Sequence, residues 1–336
     1  MALVQPPLRR VTSADVARAV GLSRTTVSYV LNETPGQKIP ENTRRRVLDA
    51  AASLGYAPSA AARTLRSGRS DVVLCLLPDW PIGVVLGRLL ESMSLELGRR
   101  GLTLLAHPGT GQQRPVSHVL SAVTPAAVVS FEPLSKDEQA VIRAAAISVA
   151  LVLGDPRGRS RVRSLDQRLV GRMQVEHLVA TGHRILGYAV PDDPRLDDFA
   201  EPRMDGVRKA CLDLGLADPI VRTVALEGAQ AATAVADWVN SDPAVTAVCA
   251  YNDEVAFAVL AGMRLQGLRA PAHLAVIGVD DIPTATVADP PLTTVRMDES
   301  VEGLYIANCV VAALAGKSMP RNPGPNVIQL RRRETA

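Results

Sequence analysis

One stretch, Val11 to Asn32 (VTSADVARAVGLSRTTVSYVLN), constrains this chain more than any other. Apolar residues at helical spacing put Val16, Ala17 and Val20 on the inner face of one short helix, and Val27, Val30 and Leu31 on that of a second. Gly21 sits where the connecting turn needs a positive φ, and Ala17 is small enough to let the helices approach closely. Ser13 and Ser23 are placed to cap the first and second helix. Arg24, Thr25, Thr26, Ser28 and Tyr29 are then left facing outward, a short, polar and basic set of the kind a helix needs in a DNA major groove. The plainer alternative is an ordinary buried helical hairpin.

The next segment argues against that alternative. Ile39 to Tyr56 reads as a third helix, entered through Pro40 and closed by Gly55, with Val47, Leu48, Ala51 and Leu54 as its buried stripe. Three small helices with so little core make a marginally stable domain, one that DNA contact would help to order.

Pro58 to Ser67 (PSAAARTLRS) follows. VTSADVARAVGLSRTTVSYVLN and TRRRVLDAAASLGYAPSAAARTLRSG together resemble the DNA-binding headpiece and hinge of the lactose-repressor (LacI/GalR) family. The resemblance implies that residues 1–57 are a helix-turn-helix headpiece and 58–69 a hinge helix and linker. It also implies that Arg24, Thr25 and Tyr29 contact bases, while Thr26, Ser28 and Asn32 contact phosphates. Leu65 matches the family's minor-groove wedge, Ala62 the small residue that packs two hinge helices together, and Arg63 lies between them. An inserted apolar side chain unstacks a base step at a cost of about a few kcal/mol, offset by the bent groove it opens. A linker residue on a solvated helix is the plainer reading of Leu65. The headpiece departs from the family pattern at Tyr29, where several relatives carry arginine, and at Pro40, where a capping serine is common.

Charge divides the same way. Residues 1–70 hold eleven Lys and Arg against four acids, and the remainder is net acidic, so the basic character belongs to the front end. With 336 residues the chain exceeds what one core usually serves. Its first ten residues lack a signal-like apolar run and no later stretch is long enough to span a bilayer, so the protein is expected to be cytoplasmic. Cys75, Cys211, Cys249 and Cys309 are widely spaced in apolar surroundings and are expected as buried thiols.

From Asp71 the rhythm becomes β-α alternation. Apolar runs at 72–78, 102–108 and 126–132 read as buried strands, separated by helices at Leu86 to Arg100 and in VSHVLSAV; a helix from Ser135 and the strand SVALVLGD follow. A second half repeats the scheme: a helix over 166–182, RILGYAV as a strand, a helix from Arg203 to Leu214, IVRTVAL, ATAVADWVNS, AVTAVCAYND, EVAFAVLAGMRLQG and LAVIGVDD. The expected fold is α/β, with parallel sheets in a two-lobed body whose ligands bind at strand carboxyl ends. The resemblance extends through HLVATGHRILGY, AYNDEVAFAVLAGMRLQG, LAVIGVDDIP and PPLTTVRMD. It implies a periplasmic-binding-protein-like effector and dimerisation domain over 70–336, with an N-lobe of about 70–168 plus 299–323 and a C-lobe of about 169–298 plus 324–336.

Carried over residue by residue, Arg203, Asn252 and Asp280 match the family's effector-contacting arginine, amide and carboxylate; Asp155 is a further position of the same kind. Such groups suit a polar, sugar-like or nucleoside-like molecule, because directional bonds exclude analogues lacking a hydroxyl. Each also has a plainer role: Arg203 in an ion pair between lobes, Asp280 as a helix or turn cap, Asn252 as the N-cap before EVAFAV. Aromatic residues make up only 3% of the chain, leaving Trp80 and Phe199 as the expected platform; Trp238 falls in a helix pattern and is expected in the core.

The function expected from the resemblance is a sequence-specific DNA-binding regulator, a repressor, acting as a homodimer on a near-palindromic double-stranded operator under control of a small effector. No catalytic residue, cofactor, metal or membrane partner is expected: neither G-x-x-x-x-G-K-[ST] nor G-x-S-x-G occurs, and the five histidines lack a Ser or Cys partner at a recognised spacing. The alternative is the solute-binding component of an uptake system, which would share the lobed body but have no use for the first seventy residues.

Overall fold

The computed structural model describes residues 11–32, 34, 36–56, 70–108, 115–147, 149–153, 166–324 and 327–336. It divides into two compact units, Met1–Asp71 and Val72–Ala336. Leu65, Ala62, Arg63 and Asp155 lie outside the described residues.

In the first unit α1 (Ser13–Val20), α2 (Arg24–Leu31) and α3 (Glu41–Ser53) enclose Val16, Ala17, Val20, Val27, Val30, Val47 and Ala51. Two expectations are corrected here. The cap of α1 is Thr12 rather than Ser13: Asp15 Oδ2 accepts from the backbone N–H of Thr12 at 2.9 Å and from its hydroxyl at 2.7 Å. Ser13 has Val16 three residues on, and so no acid to reciprocate. The stripe of α3 is also narrower than expected, because two eight-residue helices cannot cover a wide face. Leu48 and Leu54 are 48% and 39% exposed.

The second unit holds two sheets. The first lobe carries β1 (Val72–Leu77), α4 (Val84–Arg99), β2 (Thr103–Pro108), α5 (Val116–Ala122), β3 (Ala127–Ser130), α6 (Lys136–Ala144) and β4 (Ala150–Val152). Its strands form an all-parallel sheet in the order β2-β1-β3-β4. The second lobe carries α7 (Gln167–Ala180), β5 (Leu186–Pro191), α8 (Asp197–Asp213), β6 (Ile220–Val224), α9 (Gly228–Val239), β7 (Ala247–Ala250), α10 (Asp253–Leu265), β8 (Ala275–Val279), α11 (Pro283–Val287) and β9 (Thr293–Met297). The chain then returns to the first lobe as α12 (Glu299–Leu314), whose Tyr305, Ile306, Cys309 and Val310 join the core of Val73, Cys75, Met93 and Leu97. It crosses back as β10 (Ile328–Arg331), antiparallel to β9 at the edge of a six-stranded sheet ordered β10-β9-β8-β7-β5-β6. Several crossings of one chain between two sheets leave a junction at strand carboxyl ends, where α/β sheets take their ligands.

Three helix starts differ from the sequence reading, one of them α9, which begins at Gly228, four residues before ATAVADWVNS. α4 begins at Val84 rather than Leu86, so part of the apolar run after Ile82 is helical. α8 begins at Asp197, six residues before Arg203, and contains Pro202. Asp197 and Asp198 in its first turn complement the helix dipole, while Pro202, the sixth residue, lacks the N–H that would reach the Asp198 carbonyl. Trp238 is fully buried, its indole N–H donating to the Ile220 carbonyl at 2.8 Å. All four cysteines are free and buried, and burial pushes the Cys75 thiol up to about 12. Among the described residues no helix is long and apolar enough to cross a membrane.

Candidate functional site

The first site is the outer face of α2. Gly21 adopts φ 69° between the helices, and Arg46 of α3 donates to the Val20 carbonyl at 2.9 Å, satisfying the end of α1. Ser23 caps α2, its Oγ accepting from the Thr26 backbone N–H at 3.0 Å. Arg24 and Thr25 are exposed in the first turn; with Ser13, Ser28 and Tyr29 they line a shallow depression. The expected base-contacting residues therefore share one surface, with Ser28 beside them. Thr26 is half-buried, its hydroxyl 2.8 Å from Ser23 Oγ. Asn32 donates to the Ser28 carbonyl at 2.6 Å and to Ser28 Oγ at 3.1 Å, closing the helix end.

The second site lies between the lobes. α7 and α8 cross where Gly171 meets the backbone of Arg203 and Gly206 meets that of Arg168; a β-carbon at either glycine would fall well inside van der Waals contact. That crossing buries Arg203, which is 3% exposed. Its guanidinium donates through Nε to Gln167 Oε1 at 2.8 Å and through Nη1 to the Tyr251 carbonyl at 2.8 Å, and lies 4.7 Å from the centre of the Tyr251 ring. Its Nη2 is 3.6 Å from Asp280 Oδ1, so the ion pair forms within the second lobe and not between lobes.

Asp280 follows β8 at φ 105° and is buried; its backbone N–H donates to the Val295 carbonyl at 2.8 Å. Burial raises its pKa against the pull of Arg203. A non-glycine residue at such an angle carries about 1–3 kcal/mol of strain, a feature concentrated at ligand sites. Its Oδ1 accepts no hydrogen bond among the described residues. Next to it Asp281 is held by Arg333, at 2.5 Å, with Arg331 and Arg296 at 3.8 and 3.9 Å. Asp253 accepts from Thr294 Oγ1 at 2.5 Å and from the Ile282 N–H at 2.9 Å, and burial pushes it up to about 7.

Asn252 is the cap of α10: its Oδ1 accepts from the Val255 N–H at 2.9 Å, and its amide N–H groups are not used by that bond. Trp80, after β1, meets Phe199 of α8 edge-on with ring centres 4.5 Å apart, and Phe131, after β3, at 5.6 Å. The expected platform is therefore an aromatic cluster that joins the lobes. Phe131 and Gln167 were not legible in the sequence as site residues; only Phe131, directly after a strand, carried a local signal.

Residues 12–59 match the family of bacterial regulatory proteins termed lacI, and 175–336 match the periplasmic binding protein-like domain. The chain is 30% identical over 332 residues to the HTH-type transcriptional regulator CelR of Thermobifida fusca, covering 92% of this chain and 94% of that protein. The chain belongs to the lacI family. To GalS, an HTH-type transcriptional regulator of Salmonella typhimurium, this family member is 29% identical over 293 residues, covering 85% of each. Its fold is that of the Lac repressor dimer bound to operator and the anti-inducer ONPF, with a TM-score of 0.79 at 22% identity over 97% of this chain and 99% of the other. It also matches the CelR–cellobiose complex, with a TM-score of 0.65 at 24% identity over 97% of this chain and all of the other.

Proposed function

We propose that this lacI-family chain is a sequence-specific DNA-binding transcriptional repressor whose grip on its operator is set by a small polar effector bound between the lobes. The observation that carries this is the α1–α2 pair: a capped second helix offering Arg24 and Thr25 at its exposed first turn, joined in one chain to a lobed body with a strained carboxylate in its cleft. The solute-binding alternative gives that helix pair no role, and the family is one of regulators, not enzymes.

In this reading residues 1–57 form the headpiece, 58–69 the hinge and 70–336 the effector and dimerisation body, with the protein acting in the cytoplasm. Two chains pair through their bodies, and each α2 enters one major-groove half-site of a near-palindrome. Arg24, Thr25 and Tyr29 read bases, Arg24 through a bidentate bond to guanine. Thr26, Ser28 and Asn32 hold phosphates and fix register without reading sequence. Leu65 wedges the central minor-groove step, with Ala62 and Arg63 on the same hinge segment.

Arg203, Asn252 and Asp280 supply the effector's directional bonds, with Asp155 as a further contact of the same kind and Trp80 and Phe199 as the aromatic wall. Molecules bound in related structures, such as cellobiose in the CelR–cellobiose complex, are of the polar class such a site suits. An effector that prefers one arrangement of the lobes changes the separation of the two hinges, and through it operator affinity. The test is selection of duplexes from a random pool by the full chain, followed by titration across salt. A preferred site with a steep salt dependence supports the reading, and equal binding to selected and random duplex overturns it.

A further inference from the structure

We propose that Asp281 and Arg333 are positioning residues: their ion pair holds the backbone of Asp280 in its left-handed geometry and so keeps the Asp280 carboxylate aimed at the Arg203 guanidinium. That Asp280 meets an effector rests on the cleft reading above, whereas the clamp itself does not.

Two successive non-glycine residues sit at positive φ here, Asp280 at 105° and Asp281 at 48°. Such a pair persists only where its surroundings over-determine it. The N–H groups of Asp280, Asp281 and Ile282 donate in turn to the Val295 carbonyl at 2.8 Å, to Thr294 Oγ1 at 3.4 Å and to Asp253 Oδ2 at 2.9 Å. The middle bond is the longest, so the main chain is held least firmly at Asp281.

The side chain of Asp281 supplies what the main chain lacks. Arg333 Nη2 donates to its Oδ1 at 2.5 Å, while Nη1 donates to the Leu292 carbonyl at 2.8 Å. Among the described residues no other group hydrogen-bonds this carboxylate; Arg331 and Arg296 stand 3.8 and 3.9 Å from Oδ2 and supply charge without a bond. With the Asp281 and Arg333 side chains 11% and 16% exposed, this is not the solvated kind of pair that contributes little. Arg333 is itself pinned: its N–H donates to Thr293 Oγ1 at 3.0 Å, the Glu334 N–H to the Pro291 carbonyl at 3.0 Å, and Thr335 Oγ1 to the Val276 carbonyl at 2.6 Å. The segment after β10 is thus fastened to β8 and β9, and one planar guanidinium bonds Asp281 and a carbonyl together from a fixed base.

Released from Arg333, the two residues would relax toward negative φ. That rotation turns the peptide between them and swings the Asp280 side chain away from Arg203, whose Nη2 is now 3.6 Å from Asp280 Oδ1.

Hydrogen exchange of the full chain, read by mass spectrometry on peptides across 279–284 and 274–278, tests this without a ligand. Arg333→Met and Asp281→Asn should each speed exchange at the Asp280, Asp281 and Ile282 amides by about tenfold or more, and leave Val276 to Gly278 unchanged. Arg333→Lys should fall between, keeping the charge without the fork. In an Asp281→Gly background there is no carboxylate to hold and the residue accepts its φ freely, so adding Arg333→Met should change nothing further. Exchange within about twofold of wild type in both single variants overturns the proposal. So does an acceleration by Arg333→Met that is equally large in the Asp281→Gly background, which marks a general brace between strands. Should Arg333→Met not fold, the near-isosteric Asp281→Asn carries the comparison. Failure of the cleft reading would leave these exchange rates as they are, and failure of the clamp would leave the Arg203–Asp280 cleft standing.

Discussion

Gly171 lies directly against the carbonyl oxygen of Arg203, and Gly206, one turn on from Arg203, lies against that of Arg168. This backbone contact between α7 and α8 sets where the Arg203 guanidinium ends, 2.8 Å from both Gln167 Oε1 and the Tyr251 carbonyl. Gly171→Ala should force the helices apart at a cost of about 1–3 kcal/mol. It should lower the melting temperature of the full chain and reduce effector binding together, whereas Gln167→Ala should affect binding more than stability.

At the DNA end, Arg24→Ala should reduce affinity for the selected duplex by about 1–3 kcal/mol and relax preference at one base position, read by fluorescence anisotropy with single-base variants of the site. Ser23→Ala acts differently. It removes the bond to the Thr26 N–H and should destabilise the headpiece by about 1 kcal/mol, weakening all duplexes alike.

The two tryptophans report separate things. Trp238 is sealed in the second lobe, whereas Trp80 is half-buried against Phe199 across the lobe junction. Ligand binding should change Trp80 emission in a Trp238→Phe background and leave emission unchanged in a Trp80→Phe background. Trp80→Ala should weaken the ligand-bound state, because an aromatic pair adds about 0.5–1.5 kcal/mol beyond its buried area.

His177 is buried on α7, and burial lowers its pKa, with a hydrogen bond to the Ala336 backbone opposing the effect and the charge of Arg332 adding to it. The unfolded chain therefore binds a proton near pH 6.5 that the folded chain resists. The stability this group contributes is fully present above about pH 6.5 and is lost as pH falls through its folded-state value. Thermal melts from pH 7.5 to 5.5 should show a declining melting temperature, and His177→Gln should flatten that slope relative to wild type.

The headpiece was largely legible because its information is local. Capping residues, a turn glycine and a 3.6-residue apolar period act within a few positions of one another, and they located α1 and α2 correctly. Even the misplaced cap moved by one residue, to the threonine whose acidic partner lies three positions on. The strand-helix alternation of the body was legible for the same reason. β9 and β10 were harder, since an antiparallel edge pairing depends on which strand lies alongside.

Asn252 looked like a helix cap and is one, whereas Arg203 looked like half of an ion pair between lobes and instead pairs with Asp280 inside the second lobe. Asp281 and Arg333 gave no signal as a pair, being fifty-two positions apart on segments whose own patterns do not say that they meet. By itself the sequence determined the helices of the headpiece, the strand-helix alternation as far as β8, where the basic end lies, and which residues can donate or accept. Tertiary structure alone decided which of those groups share a space and which buried atoms are left without partners. Local backbone preferences act over one or two turns, whereas desolvation and charge pairing depend on neighbours that only the crossing of α7 with α8, and the return of the chain past β8 and β9, bring together.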